Sequence, residues 1–409
     1  MNVLLISHYA GNPTLGMLFR PYYLGMEWTK NGHKVCVVAA SYSHIRANQP
    51  KVSKDFTVEN NEGIKYIWLK TPQYSSNSFK RFLSMLVFVF KLYKYRKKII
   101  SEILPDAVIS SSTYVLDIFP ARSIAKKTKA KLCFEIRDLW PLTPRLLGGF
   151  SKWNPFIMLM QVAENYACKK SDVIVSVLDN AKIYMMEHGM TSEKFHCVPN
   201  GFIMSEYLER DNIPDKLDKI INELKQQNKL LVGYAGGIKS SNAMHVLVEA
   251  ANKLKSNKDI AFILVGKGDE CNRLNQLIID YDLDNVFILE SIDKKAVLTF
   301  LEKMDILYSG STKFEIEKYG ISPNKLVDYM LSAKPIVLSR DIVKDNLFTK
   351  LSCGITVPAE DVNAVTNAIE KLIYYTEQER IEMGQRGFDH AFNNLNYETL
   401  AQKFFQALY

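Results

Sequence analysis

Short runs of β-branched and apolar residues, each followed by a segment of helix length and amphipathic spacing, recur along this chain, and the alternation restarts once. The runs are Val3–Ser7, Val35–Ala40, Ala107–Ser110, Lys131–Ile136 and Val173–Val177, then Leu230–Tyr234, Ile260–Val265, Val286–Leu289, Ile306–Tyr308 and Pro335–Leu338. Strands joined through helical crossovers pair in parallel, and a parallel sheet is covered on both faces. The pattern predicts an α/β protein with two Rossmann-like, doubly wound domains. The chain has 409 residues, 47% of them hydrophobic and 23% charged, enough for two cores. The join is expected near Phe202, where His-Cys-Val-Pro-Asn-Gly-Phe precedes a polar stretch ending at Arg210. That gives residues 1–202 as the first domain.

Ligands of open parallel sheets bind outside the carboxyl ends of the strands. The loops to inspect are therefore His8–Gly16, Arg137–Arg145, Gly236–Asn242, Gly266–Glu270 and Ser309–Lys325, which face a cleft if two such sheets oppose each other. The most informative of them runs into the segment Glu317–Leu331, EKYGISPNKLVDYML. A glycine turn ahead of an amphipathic helix leaves N–H groups at a positive helix end, which suits a diphosphate. Pro323 fits a first-turn position and Ser322 an N-cap, while Asp328, one turn further in, is placed to accept hydroxyl hydrogen bonds from a ribose. An ordinary capped helix has the same signature.

The loop Gly236-Gly237-Ile-Lys239-Ser-Ser-Asn242 lets a backbone approach a phosphate, with Lys239 adding charge. A simple turn explains it equally well. Gly266-Lys-Gly268 repeats the arrangement one strand later and would border the base. No GxGxxG follows the first strand and no GxxxxGK[ST] string occurs, which argues against a nicotinamide dehydrogenase and a P-loop kinase. The string Asp280-Tyr-Asp282-Leu-Asp284 fits an Asp-x-Asp metal pair but falls between a helix and the next strand, away from the carboxyl ends, and reads as a solvated turn. The six cysteines are scattered without metal-ligand spacing.

Charge is divided unevenly. Residues 1–200 carry 27 Lys and Arg against 14 Asp and Glu, whereas the rest of the chain is acidic. No nucleic-acid signature accompanies the basic half, so an anionic substrate or membrane surface is the expected partner. Phe79–Leu104 gathers seven basic residues and one acid around the apolar run Phe82–Phe90, too short to span a bilayer. Such a helix either lies in a membrane interface or simply covers the sheet with a solvated basic face. The amino terminus, MNVLLISHYAG, lacks a basic leader and reads as a buried strand of a cytoplasmic protein.

Several strings in this order resemble one family: Asn31-Gly-His-Lys-Val, Arg137-Asp-Leu-Trp-Pro141, Val198-Pro-Asn-Gly201, Gly233-Tyr-Ala-Gly236, Val265-Gly-Lys-Gly-Asp269, and Ile321-Ser-Pro-Asn-Lys-Leu-Val-Asp328 followed by Ser-Ala-Lys-Pro-Ile-Val. The chain is similar over nearly its whole length to the retaining GT-B glycosyltransferases of the family-4 type that build bacterial surface polysaccharides. The resemblance implies two domains facing across a cleft. The second, residues 203–386, would hold a nucleotide diphosphate sugar, most often a UDP-sugar, and a terminal helix over 387–409 would return to the first domain.

The family's paired acids map onto Glu317, near the donor sugar, and Asp328, at the ribose. The second acid is Asp, and three extra residues separate the pair. The family's diphosphate-binding Arg and Lys fall at about Gly237 and Asn242, so both charges are missing. Lys239 and Lys325, with the N–H groups of Gly320, Ile321 and Ser322 beside Asn324, are the expected substitutes. Arg137 and Asp138 stand where relatives carry a His beside the reacting carbon: Arg137 would stabilise charge and Asp138 would be the nearer carboxylate, unless the two form an internal salt bridge. On the acceptor side His8, Gly11, Gly16 and Arg20 are expected.

The implied function is metal-independent and cofactor-free transfer to a polyprenyl-diphosphate-linked saccharide by an enzyme peripheral to the inner membrane face, held there by its basic half. A nucleotide-sugar epimerase of the same fold and a non-catalytic binding partner remain the alternatives.

Overall fold

The computed structural model describes residues 1–16, 19–75, 79–341 and 346–409. Two compact units result, Met1–Pro199 with Tyr397–Tyr409, and Asn200–Asn396. The returning segment therefore begins at Tyr397, not at residue 387. The helix Glu377–Asn394, opened by a Thr376/Glu379 capping box, packs Phe388 and Phe392 in the second unit, and Leu395–Asn396 end it before the last helix, Tyr397–Ala407. Phe404 of that last helix meets Trp28 edge to face at 5.3 Å, and the Trp28 indole donates to the Ala401 carbonyl at 3.0 Å.

In the first unit the strands are β1 (Asn2–Ile6), β2 (Lys34–Ala40), β3 (Thr57–Asn61), β4 (Ile64–Leu69), β5 (Ala107–Ser110), β6 (Lys131–Ile136), β7 (Val173–Ser176) and β8 (Phe195–Cys197). They line up as 3-4-2-1-5-6-7-8, all parallel except that β3 runs against β4. The second unit holds β9 (Leu230–Ala235), β10 (Ile260–Val265), β11 (Val286–Leu289), β12 (Ile306–Gly310), β13 (Ile336–Ser339) and β14 (Gly354–Val357), ordered 11-10-9-12-13-14 and wholly parallel. Uninterrupted apolar strands make this possible: Val3 to Ile6 and Ile260 to Leu264 are 0% exposed because helices cover both faces. Strand order reverses beside β1 and beside β9, the switch points where ligands of this architecture bind.

The hairpin β3–β4 is absent from the sequence-based expectation. Its turn, Glu62-Gly63, has φ of +48° and +83°, the two left-handed residues a tight hairpin demands. The basic segment Phe79–Leu104 is two helices, Phe79–Lys94 and Arg96–Ile103.

One buried acid of the first unit supplies a stability prediction. Glu164, on the helix Pro155–Lys170, accepts from Tyr184 at 3.0 Å and Gln161 at 2.8 Å with His188 at 3.7 Å, and burial pushes its pKa up to about 8. An acid whose folded pKa exceeds its unfolded value stabilises fully below the unfolded pKa and loses that contribution as pH rises toward the folded one. We expect stability to fall between pH 4 and pH 8 by on the order of 4 kcal/mol from this group, and Glu164→Gln to remove the slope. Urea titrations at pH 5 and pH 8 check this; equal pH slopes in both proteins would refute it.

Candidate functional site

The loops after β9, β12 and β13 gather the charged side chains of the second unit. The helix Asn324–Leu331 is fixed against β9 by Tyr329, whose hydroxyl accepts from the Ala235 amide at 3.0 Å and lies 3.3 Å from the Ala235 carbonyl. This anchor sets Lys325 one turn back. Its ammonium lies 3.2 Å from the Tyr234 hydroxyl and 3.3 Å from Asn242 Oδ1, over the Tyr234 ring, with no carboxylate partner among the described residues. Burial, then the nearby Arg340 charge, lowers its pKa to about 8. The ammonium lies beside the Gly236 backbone, where its charge has the geometry to meet an anion.

Glu317 is oriented from both sides. Arg340 donates to its Oε1 at 2.5 Å and Ser311 to its Oε2 at 3.0 Å, in a pair whose side chains are 8% and 9% exposed. Burial raises its pKa while Arg340 works in the opposite direction. Sequence reasoning missed Arg340, although it directly follows β13 at the carboxyl end where ligands of such sheets bind. Asp328 contacts Lys294 at 2.5 Å from the neighbouring helix Lys294–Glu302 and stays 22% exposed. Burial pushes its acid upward, against the pull of Lys294.

A cavity of about 300 Å³ opens beside the β9, β10 and β11 ends, lined by Ala235, Gly236, Gly237, Lys239, Val265, Gly266, Lys267, Ser291, Ile292 and Val297. Gly236 takes φ of +150° there, a conformation that favours glycine. Its N–H is held by the Val265 carbonyl and that of Ile238 by the Lys267 carbonyl, and among the described residues the Gly237 N–H between them has no backbone partner. Gly266 and Gly268 pack against the neighbouring loop: a Cβ on Gly266 would stand 1.9 Å from the Gly236 carbonyl oxygen, and one on Gly268 1.8 Å from that of Ile238.

Three expectations for the helix start are corrected. Ser322 does not cap the helix; its hydroxyl accepts from the Asn200 amide at 2.9 Å, and its carbonyl accepts from Asn200 Nδ2 at 2.7 Å. Pro323 is the N-cap residue and Asn324 opens the helix. The Gly320 N–H, expected to serve a diphosphate, is bonded to the Glu317 carbonyl, and Gly320 turns at φ +105°. Ile321 packs partly against the core of the unit.

In the first unit most of the expected acceptor residues are committed to structure. Arg20 is 3% exposed, donates to Glu135 at 2.9 Å and to the carbonyls of Pro199 and Val198 at 2.7 and 2.8 Å, and has no freedom to meet a substrate. It straps the chain together and forms no site. His8 is 0% exposed, with Nδ1 2.9 Å from the Tyr114 hydroxyl, and burial holds its pKa well below the usual value. The Gly11 carbonyl accepts from Tyr66 at 3.1 Å, and Gly16 turns at φ +67° against Ala47. Asp138 accepts from the Leu139 amide, the Trp140 indole and the Thr143 hydroxyl, so it closes its own turn and forms no salt bridge with Arg137. Arg137 is the exception: Arg20 takes Glu135, and among the described residues Arg137 has no hydrogen-bond or ion-pair partner.

No group of three potential metal ligands is found among the described residues. Asp282 and Asp284 pair with Lys255 and Lys258 on the surface.

Residues 20–205 match the family model described as Glycosyltransferase Family 4, and residues 215–389 match Glycosyl transferases group 1. No curated protein sequence matches the chain. Among solved structures, HepE of Anabaena in complex with UDP is 16% identical, with 100% of this chain and 99% of that one covered and a TM-score of 0.68. Sucrose-phosphate synthase of Thermosynechococcus elongatus is 14% identical over 99% and 98% of the two chains, with a TM-score of 0.69. A trehalose-6-phosphate structure from E. coli bound with UDP-2-fluoro glucose is 12% identical over 99% and 98%, with a TM-score of 0.71. The two family matches, with the fold shared with these structures, define the class, a GT-B glycosyltransferase. Within that class the first unit carries the family-4 type of domain and the second the group-1 type.

Proposed function

We propose that the protein transfers a sugar, with retention of configuration and without a metal ion, from a nucleotide diphosphate sugar to a polyprenyl-diphosphate-linked saccharide in bacterial surface polysaccharide assembly. The observation that carries the donor half of this reading is Lys325, a buried ammonium without a carboxylate partner, among the described residues, beside the Gly236-Gly237 backbone. HepE was solved with UDP and with UDP-glucose, which supports a uridine donor here.

In the proposed reaction the bond from the sugar's anomeric carbon to the phosphate oxygen breaks and the bond to the acceptor oxygen forms on the same face. The departing phosphate oxygen takes the acceptor proton, so no side-chain base is needed. Lys325 neutralises the charge that develops on the diphosphate, with Lys239 nearby; preorganised charge of this kind usually contributes more to the rate than any other single effect. Glu317, held by Arg340 and Ser311, would receive sugar hydroxyls, and Asp328 a ribose hydroxyl. The guanidinium of Arg137 is the first unit's contribution to the acceptor.

No helix among the described residues is long and apolar enough to cross a membrane. Peripheral attachment at the inner membrane face rests on the helix Phe79–Lys94. Its residues Met85, Phe88 and Leu92 face the core, while Phe79, Leu83, Leu86, Phe90 and Tyr93 form a second, exposed apolar stripe. Exposed Lys80, Lys94, Lys97 and Lys98 accompany it, the composition of an interfacial helix at an anionic surface.

Calorimetric titration with UDP, GDP, dTDP and ADP, with and without magnesium, tests the donor site. One diphosphate is expected to bind in the absence of magnesium and to bind more weakly to Asp328→Ala. Binding of none, or binding that requires magnesium, would overturn the reading.

A further inference from the structure

Beside the exposed stripe, the first unit contains a groove of about 1020 Å³ between the helices Phe79–Lys94 and Pro155–Lys170 and the turn that follows Asp138. Its walls are apolar: Phe82, Met85, Trp140, Leu147, Phe156 and Leu159. Phe82 meets Phe156 edge to face at 4.9 Å, which fixes the spacing of the two helices. Leu147 and Leu159 remain 49% and 38% exposed, and Phe150 47%, an unusual concentration of uncovered apolar surface for one unit.

Among the described residues that line the groove, Arg81 is the one cation, with its guanidinium carbon 5.6 Å from the Trp140 ring and 5.9 Å from the ring of Tyr9. Tyr9 belongs to the loop after β1, at the switch point of the sheet. Arg81 thus joins the apolar groove to the end of the sheet where this architecture receives ligands. An apolar trough with one guanidinium in its lining, on the side of Tyr9, is complementary to an amphiphile with one hydrocarbon chain and a phosphate at its end.

We propose that this groove seats the isoprenoid chain of the acceptor, with the chain's first phosphate at Arg81. The inference rests on the lipid-linked acceptor reading and adds a position to it. A flat bilayer contact would need only the convex stripe of Phe79, Leu83, Leu86 and Phe90, which lies alongside. A concave channel with aromatic walls and one cation among them is what a single extracted chain requires. The stripe in the lipid and the groove beside it let the chain pass from bilayer to protein without crossing water, whose exclusion is the driving force.

The test uses the full chain and farnesyl diphosphate below its micelle concentration, followed by calorimetry. Wild type is expected to bind it, to bind farnesol more weakly because Arg81 then meets no phosphate, and to bind inorganic diphosphate more weakly because the groove stays empty. Leu147→Glu and Leu159→Glu, both at partly exposed positions, are expected to weaken farnesyl diphosphate binding by roughly tenfold or more. Phe90→Glu, on the stripe, is expected to reduce binding to vesicles containing anionic lipid and leave farnesyl diphosphate affinity unchanged. The proposal is overturned if farnesyl diphosphate does not bind, if it binds both groove variants as tightly as wild type, or if all three variants affect only vesicle binding, in which case the groove is part of a bilayer contact. Nucleotide titration is independent of these arms: a protein that binds a nucleoside diphosphate but no farnesyl diphosphate loses the groove assignment alone. The reverse result supports the groove and removes the transferase reading.

Discussion

Arg340→Met is expected to destabilise the second unit by about 3 kcal/mol at pH 7 and to abolish most of the transfer activity. The stability effect follows from burial: removing one partner of a buried ion pair typically costs about 3–5 kcal/mol, because the other charge is left without compensation. Glu317 keeps Ser311 and, with its pKa already raised by burial, escapes part of the penalty by binding a proton. The lower end of the range is therefore expected. The variant's Glu317 titrates higher than the wild type's, so the variant should recover stability as pH falls toward 5. Glu317→Gln alone leaves Arg340 unpaired, while the double variant removes both charges and should cost less than the sum of the singles. Urea unfolding of the four proteins at pH 5 and pH 7 decides the matter. Additive costs with no pH dependence would mean that the pair makes no net contribution and that Arg340 does not position Glu317.

Lys325→Ala should lower kcat/KM for the donor by about a hundredfold or more, the scale of deleting one preorganised charge at a developing anion. Its pH dependence carries the more specific signature. The ammonium has a pKa of about 8 in the free protein, and an approaching diphosphate raises it, so the bound form holds the proton more tightly. Donor affinity should be level below pH 8 and fall by up to tenfold per pH unit above it, until the pKa of the complex is reached. Lys325→Arg, which keeps its charge, should flatten that fall even if it binds less well. A wild-type profile that is level to pH 9.5, or an Ala variant with unchanged affinity, would remove Lys325 from the donor site.

How much of this was legible in the sequence depended on the kind of signal. All ten apolar runs read as strands are strands, because a strand covered on both faces advertises itself as an unbroken apolar run. β3, TVENN, is polar and half-exposed at one edge of the first sheet, β8 is three residues at its other edge, and β14 is four residues at an edge of the second sheet, so none carries that signal, while the apolar run of β4, IKYIWL, is broken by Lys65. Lys325 and Glu317 were singled out from the segment Glu317–Leu331 and the family resemblance, but the side chains that hold them were not. Arg340 and Tyr234 reach them across β12 and β9, a relation that depends on strand order and that linear spacing does not encode. Arg20 shows the opposite failure. A charged residue at a loop end looked like a ligand group until its three hydrogen bonds were seen to be occupied by Glu135 and two carbonyls 178 and 179 residues away.

The discontinuity of the first unit has a consequence for biosynthesis. Residues 200–396 form the second unit from one uninterrupted stretch, whereas the first needs Tyr397–Tyr409 to cover Trp28 and to place Tyr397 against Tyr23. As the ribosome delivers the chain, the amino-terminal half emerges first but is the last to be completed: it must wait, with Tyr23 and Trp28 uncovered, while nearly two hundred further residues are made. The later half thus holds every contact it needs before the earlier one does, and the order of synthesis is the reverse of the order of completion.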